Sequence, residues 1–157
     1  MWFRDCIWPQ IRKQNPNLKL RLIGSPPPPQ YAVLADGFEY LGYVQDTAAE
    51  IATWSAMIVP ITYGGGTRIK IIEAFSKLCP VVSTSAGAYG IDGLHNQHFL
   101  LADEPELFAE ACCQLSDQPQ AGRRLAENAW TLFNEKYTWD VIGRSIRGIA
   151  ETIVNNR

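Results

Sequence analysis

Residues 56–84, AMIVPITYGGGTRIKIIEAFSKLCPVVST, narrow the possible folds more than any other part of the chain. The run at 56–61 is apolar without polar alternation, the pattern of a parallel strand covered on both faces. Three glycines follow it. A helical pattern then runs from about 67 to 78, and a second apolar run occupies 80–84. Strand, helix and strand in that order make a βαβ unit, whose sheet must be parallel and flanked by helices.

The rest of the chain extends this alternation. Residues 3–14 place Phe3, Ile7, Trp8 and Ile11 on one helical face, with Pro9 disturbing the helix or ending its first part. LKLRLIG at 18–24 and FEYLGYV at 38–44 read as strands, separated by SPPPPQ at 25–30, an extended polyproline-like loop. Asp46 is the expected cap of a helix over 46–54, and HFLLA at 98–102 is a further strand. Helices at 104–116, 119–137 and 139–156 close the chain. The expected fold class is α/β: a Rossmann-like, doubly wound parallel sheet with helices on both faces and C-terminal helices, forming one domain over 1–157.

Composition matters chiefly for what it excludes. A net charge of −2 and a pI near 5.7 leave no basic footprint for nucleic acid. No stretch of about 18 apolar residues is present, so no membrane span is expected. Cys6, Cys79, Cys112 and Cys113 form no CxxC pair, which argues against a zinc site or disulfide framework and for a reducing, cytoplasmic setting. His95 and His98 lack an obvious third ligand and read as loop and strand-edge residues, so no metal site is expected.

The glycines raise a chemical question, because one would serve a turn. In open parallel sheets, ligands sit beyond the carboxyl ends of the strands. Gly64, Gly65 and Gly66 occupy that place and let a ligand approach the backbone. A helix starting near Thr67, capped by its hydroxyl, would aim free N–H groups and its positive dipole end at the same point. The combination suits phosphate, and Arg68 would add a forked, permanent charge. Neither GxxxxGK[ST] nor GxGxxG is present. A tight turn that merely packs helix on sheet is the competing reading. Glu73 lies six residues past Thr67, roughly 9 Å along a helix, where a carboxylate could take hydrogen bonds from sugar hydroxyls. Its competing reading is an exposed residue paired with Lys70 or Lys77.

The block GYVQDTAAEIATWSAMIVPITYGGGTRIKIIEAFSKLCPVVSTSAGAYGI, together with LAENAWTLFNEKYTWDVI, resembles the C-terminal half of GT-B-fold retaining glycosyltransferases of group 1 (family 4). The similarity covers about residues 18–155. It implies a domain that binds a nucleotide-diphosphate sugar, often a UDP- or GDP-sugar, and passes the glycosyl group to an acceptor, with no cofactor. It implies that Glu73 contacts ribose hydroxyls, that the backbone of Gly64, Gly65, Gly66 and Thr67 faces the diphosphate and sugar, and that Tyr43 and Val44 border the base. Arg68 and Lys70 match basic positions of the family's GGGTRxKxxEA subgroup, Arg68 being the preferred phosphate contact.

Two departures from the family follow. Many members carry a second glutamate eight positions before the first; here that position is Gly65, a loss shared by the GGGT subgroup. The family's opening strand, with its basic glycine-bearing loop, and the N-terminal acceptor domain are also lacking. The expected product is a truncated or half enzyme, inactive without an acceptor-domain protein, or a non-catalytic nucleotide-binding module. An incomplete sheet edge, partly covered by Trp2, Phe3, Ile7 and Trp8, predicts self-association.

Overall fold

The computed structural model describes residues 2–25 and 35–155. The proline run predicted at 25–30 lies, Ser25 apart, outside the described residues. The elements alternate as β1 (Leu20–Ile23), β2 (Phe38–Gly42), α2 (Thr47–Ile51), β3 (Met57–Val59), α3 (Ile69–Ser76), β4 (Val81–Ser83) and β5 (Leu100–Leu101). An N-terminal helix α1 (Trp8–Gln14) precedes them, and α4 (Pro105–Asp117), α5 (Pro119–Lys136) and α6 (Trp139–Asn155) follow. Every strand pairing is parallel, and the α/β class expected from the sequence is what forms. The described strands make two ladders, β1–β2 and β3–β4–β5, in place of one continuous sheet.

Local chemistry explains most boundaries. Pro9 has no N–H to donate back along a helix, and the preceding turn, Phe3–Ile7, winds as a π-helix that ends in a bond from Trp8 N–H to Phe3 C=O. Asp46 caps α2 as expected, its carboxylate accepting from the N–H groups of Ala48 and Ala49 at 2.9 and 3.0 Å. Proline stands at the first position of α4 and α5, where the missing N–H costs nothing.

Two apolar clusters hold the layers together. In the first, Ile7, Trp8 and Ile11 pack with Phe108, Ala109 and Leu115 of α4 and with Val82 and Leu100 of the larger ladder. Trp2 and Phe3 meet Phe108 edge-on, and Trp8 meets Phe38 of β2 at 5.1 Å while its indole N–H donates to Asp36 C=O. The N-terminal aromatics thus seat on α4 and β2. In the second cluster, Ile71, Ala74 and Phe75 form the inner stripe of α3, spaced three and four residues apart, against Val81, Phe99 and Ala129. Phe75 stacks on Phe99 at 6.1 Å. Burying such a side chain is worth about 1.5–3 kcal/mol, which fixes α3 on the ladder with its amino end at the carboxyl end of β3. No described helix is long and apolar enough to cross a membrane.

Candidate functional site

The site is built where β3 and β4 end. The chain leaves β3 at Val59 and runs through Ile61–Arg68 into α3; it leaves β4 at Ser83 and runs through Thr84–Ile91 beside it. The second path is stapled to the first. Ser83 Oγ donates to Val59 C=O at 3.2 Å, and Thr84 Oγ1 donates to Ile61 C=O. Thr84 Oγ1 also accepts from Gly87 N–H at 2.8 Å. Ser83 and Thr84 are the buried hydroxyls that make this possible. On the far side, Ser85 binds Asp103 through N–H and hydroxyl, both at 2.7 Å, which ties the loop to the exit of β5.

Gly64, Gly65, Gly66 and Thr67 all lie exposed on the rim. Gly64 (φ +134°) and Gly66 (φ +93°) hold backbone angles that side-chain-bearing residues rarely adopt. Gly65 does not, and a Cβ built on it meets nothing within 4 Å. Nothing inside the fold therefore requires glycine at 65.

The helix begins later than the sequence suggested, at Ile69, and its cap position is Arg68. Thr67 is not a cap: no side chain caps this helix, and Thr67 contributes its carbonyl, which accepts from Ile69 N–H at 2.9 Å. The physical reason is the backbone at Arg68, whose φ of −82° and ψ of 56° are not helical, so the helix starts after it and Thr67 stands one residue before the cap position. Glu73 accordingly sits in the second turn of α3, about 6 Å along the axis from its start. It is half-buried between Lys70 (3.5 Å) and Lys77 (4.0 Å).

Arg68 turns its guanidinium to backbone carbonyls. Its Nη1 donates to Gly65 C=O at 3.2 Å, and its Nη2 donates to Gly64 C=O at 3.0 Å and to Ala86 C=O at 2.9 Å. Its Nε–H is buried without a partner. The guanidinium thus lies behind the glycine loop instead of projecting from the rim. Lys70 does project, with its side chain 75% exposed. Tyr43, just beyond β2, is 90% exposed, with the half-buried Val44 beside it.

Two rim residues were missed by sequence reasoning. Tyr63 and Tyr89 are 88% and 82% exposed on the exits of β3 and β4, so that β2, β3 and β4 each carry a solvated tyrosine beyond the carboxyl end. The available signal was an aromatic within the glycine-bearing segments TYGGG and AGAYG.

The histidines sit in the link from β4 to β5. His95 Nδ1 accepts from Leu101 N–H and His98 Nδ1 accepts from Leu94 N–H, each at 2.9 Å. Burial lowers the pKa of His98, with Glu135 opposing. Burial also raises the thiol of Cys79 to about 11 and raises those of Cys112 and Cys113. No three His, Cys, Asp or Glu side chains are grouped for a metal ion among the described residues.

Comparison with known proteins gives these features a context. A family profile described as "Glycosyl transferases group 1" matches residues 1–118. An uncharacterised 44.6 kDa protein in the cps region of Klebsiella pneumoniae is 23% identical over 150 residues, covering 87% of this chain and 38% of that protein. Among solved structures, Anabaena Alr3699/HepE in complex with UDP superposes with a TM-score of 0.79 at 17% identity, over 94% of this chain and 44% of that one. The C-terminal domain of a glycosyl transferase group 1 family protein (LpcC) from Francisella tularensis superposes with a TM-score of 0.64 at 21% identity, over 82% of this chain and 74% of that domain. The chain thus spans less than half the length of the first two.

Proposed function

This chain belongs to the group 1 glycosyltransferases, and from that premise we propose that it is the donor-binding part of such an enzyme. It takes a nucleotide-diphosphate sugar, a UDP- or GDP-sugar, at the carboxyl ends of β3 and β4. The backbone of Gly64–Thr67 faces the diphosphate, Glu73 accepts from the ribose hydroxyls, and Tyr43 and Val44 border the base. Lys70 supplies the exposed charge at the rim. Donors fixed before the reaction at this rim would stabilise the negative charge that grows on the departing diphosphate as the glycosyl group moves to the acceptor.

The observation that carries this reading is the conjunction at the amino end of α3. An exposed glycine loop stands at the carboxyl end of a parallel strand. A half-buried carboxylate, Glu73, follows it in the second helical turn. The acceptor would lie across a cleft from this rim, held by an acceptor domain, and would belong to cell-surface polysaccharide or glycolipid assembly in the cytoplasm. A second reading, a nucleotide-binding module without turnover, draws on the openness of the rim, whose three tyrosines are all more than 80% exposed.

The test is a titration with UDP, GDP and ADP, followed through the backbone amide signals of the whole chain. Saturable shifts concentrated in Gly64–Glu73 and Tyr43 are expected with one of the three. Silence with all three would sink the assignment. Release of free nucleotide from a UDP- or GDP-sugar then separates an enzyme from a binding module.

A further inference from the structure

Arg68 is placed to shape the glycine loop instead of touching what the loop binds. A peptide unit is planar and trans, so its C=O and N–H point in opposite directions. Arg68 draws the carbonyls of Gly64 and Gly65 toward its guanidinium. The N–H of Gly65 belongs to the first of those units and the N–H of Gly66 to the second. Both must therefore point away from Arg68, and no hydrogen bond among the described residues uses either one. Two successive N–H groups turned to one side form a small anion-binding concavity. The first N–H of α3 adds nothing to it, being engaged by Thr67 C=O.

The third bond, to Ala86 C=O, fixes this arrangement in space. Ala86 lies on the stapled β4 exit, between Ser85, tied to Asp103, and Gly87, tied to Thr84. The glycine loop has positive-φ hinges at Gly64 and Gly66 and no side chains of its own with which to hold a shape. Arg68 lends it the rigidity of its neighbour. The fork is demanding, since it tolerates a buried, unpartnered Nε–H to keep its three acceptors.

We propose that Arg68 is a positioning residue that pins two glycine carbonyls inward and so presents the N–H groups of Gly65 and Gly66 to a diphosphate. This rests on the donor-binding reading above. It assigns the phosphate grip to backbone N–H groups and puts the arginine charge behind them.

The experiment uses inorganic pyrophosphate, UDP and uridine with the whole chain, read by calorimetry and by backbone amide signals. In the unaltered protein, pyrophosphate and UDP should shift the Gly65 and Gly66 amides more than any others. UDP binding that leaves those two unmoved would overturn the inference while leaving the donor-binding reading intact. Absence of binding by UDP, GDP and ADP would take down that reading first. Arg68→Lys keeps the charge and the aliphatic stem but places its donors on one nitrogen, which cannot fork across successive carbonyls. It should weaken UDP and pyrophosphate by about tenfold with uridine binding unchanged, and Arg68→Met should do the same. Wild-type affinity in Arg68→Lys would overturn the inference, because a directly contacting charge is what lysine restores. Should Arg68→Met not fold, Arg68→Lys and the amide shifts of the unaltered chain still decide the matter.

Discussion

Two neighbouring loops at the rim solve opposite problems. The β4 exit, from Thr84 through His98, is tied to the fold at several points although Tyr89 stays exposed: the buried Thr84 hydroxyl, Gly87 and the imidazole of His98 spend their hydrogen bonds internally. The β3 exit, Gly64 through Thr67, is exposed, and its glycine N–H groups bond to nothing described. The first is an anchor and the second a reader, joined by Arg68. Glycine serves each differently. At Gly87 an added Cβ would lie 2.6 Å from Val59 O and 2.5 Å from Ser83 Oγ, so glycine is there for packing. At Gly65 an added Cβ meets open space, so the fold itself does not demand glycine.

The largest expected effect tests the anchor. Gly87→Val should cost roughly 2–4 kcal/mol of stability in denaturant unfolding, because backbone as well as side chains must shift. A loss below about 0.5 kcal/mol would erase the distinction between the loops. Next comes the helix behind the reader. Glu73→Ala should weaken nucleotide binding by about 1–3 kcal/mol if it holds ribose hydroxyls. Its surface pairs with Lys70 and Lys77 are worth only a few tenths, so unfolding should move by less than about 0.5 kcal/mol. Unchanged affinity would return Glu73 to a purely surface role.

Gly65→Ala is a cleaner probe than a bulkier change. The fold has room for the methyl group, and stability should stay within about 0.5 kcal/mol of the parent. Nucleotide affinity should nevertheless fall by about tenfold, as the new group stands where ligand meets backbone. Retained affinity would mean that the loop is only a turn.

The smallest effect concerns the anchor's far end. Burial lowers the pKa of His98, and protonation also removes the lone pair at Nδ1 that accepts from Leu94 N–H. In the window between its folded value and the ordinary histidine value, the unfolded chain binds more protons, so stability rises with pH there and falls on acidification. His98→Gln, which keeps an acceptor, should flatten that slope in unfolding experiments at pH 5 to 7.

The strand–helix order, the parallel class, the Asp46 cap and the placing of the glycine loop were all legible, because they depend on local pattern: apolar runs, capping chemistry and helical spacing. The start of α3 was not, since the non-helical backbone of Arg68 puts it at Ile69 and leaves Thr67 uncapping. The tyrosine rim was missed because Tyr63 and Tyr89 are 26 residues apart and come to the same end of the ladder only through strand pairing.

The amino-acid order by itself determined which segments become strands and helices, and that a glycine loop would stand at a strand's carboxyl end. Periodicity and caps act within a few residues of the positions they govern. Only the tertiary structure decided what Arg68 does. The carbonyl of Ala86 lies 18 residues away along the chain and reaches the guanidinium through the pairing of β3 with β4. A long forked side chain takes its role from whichever acceptors folding brings within reach, and sequence spacing does not specify that distance.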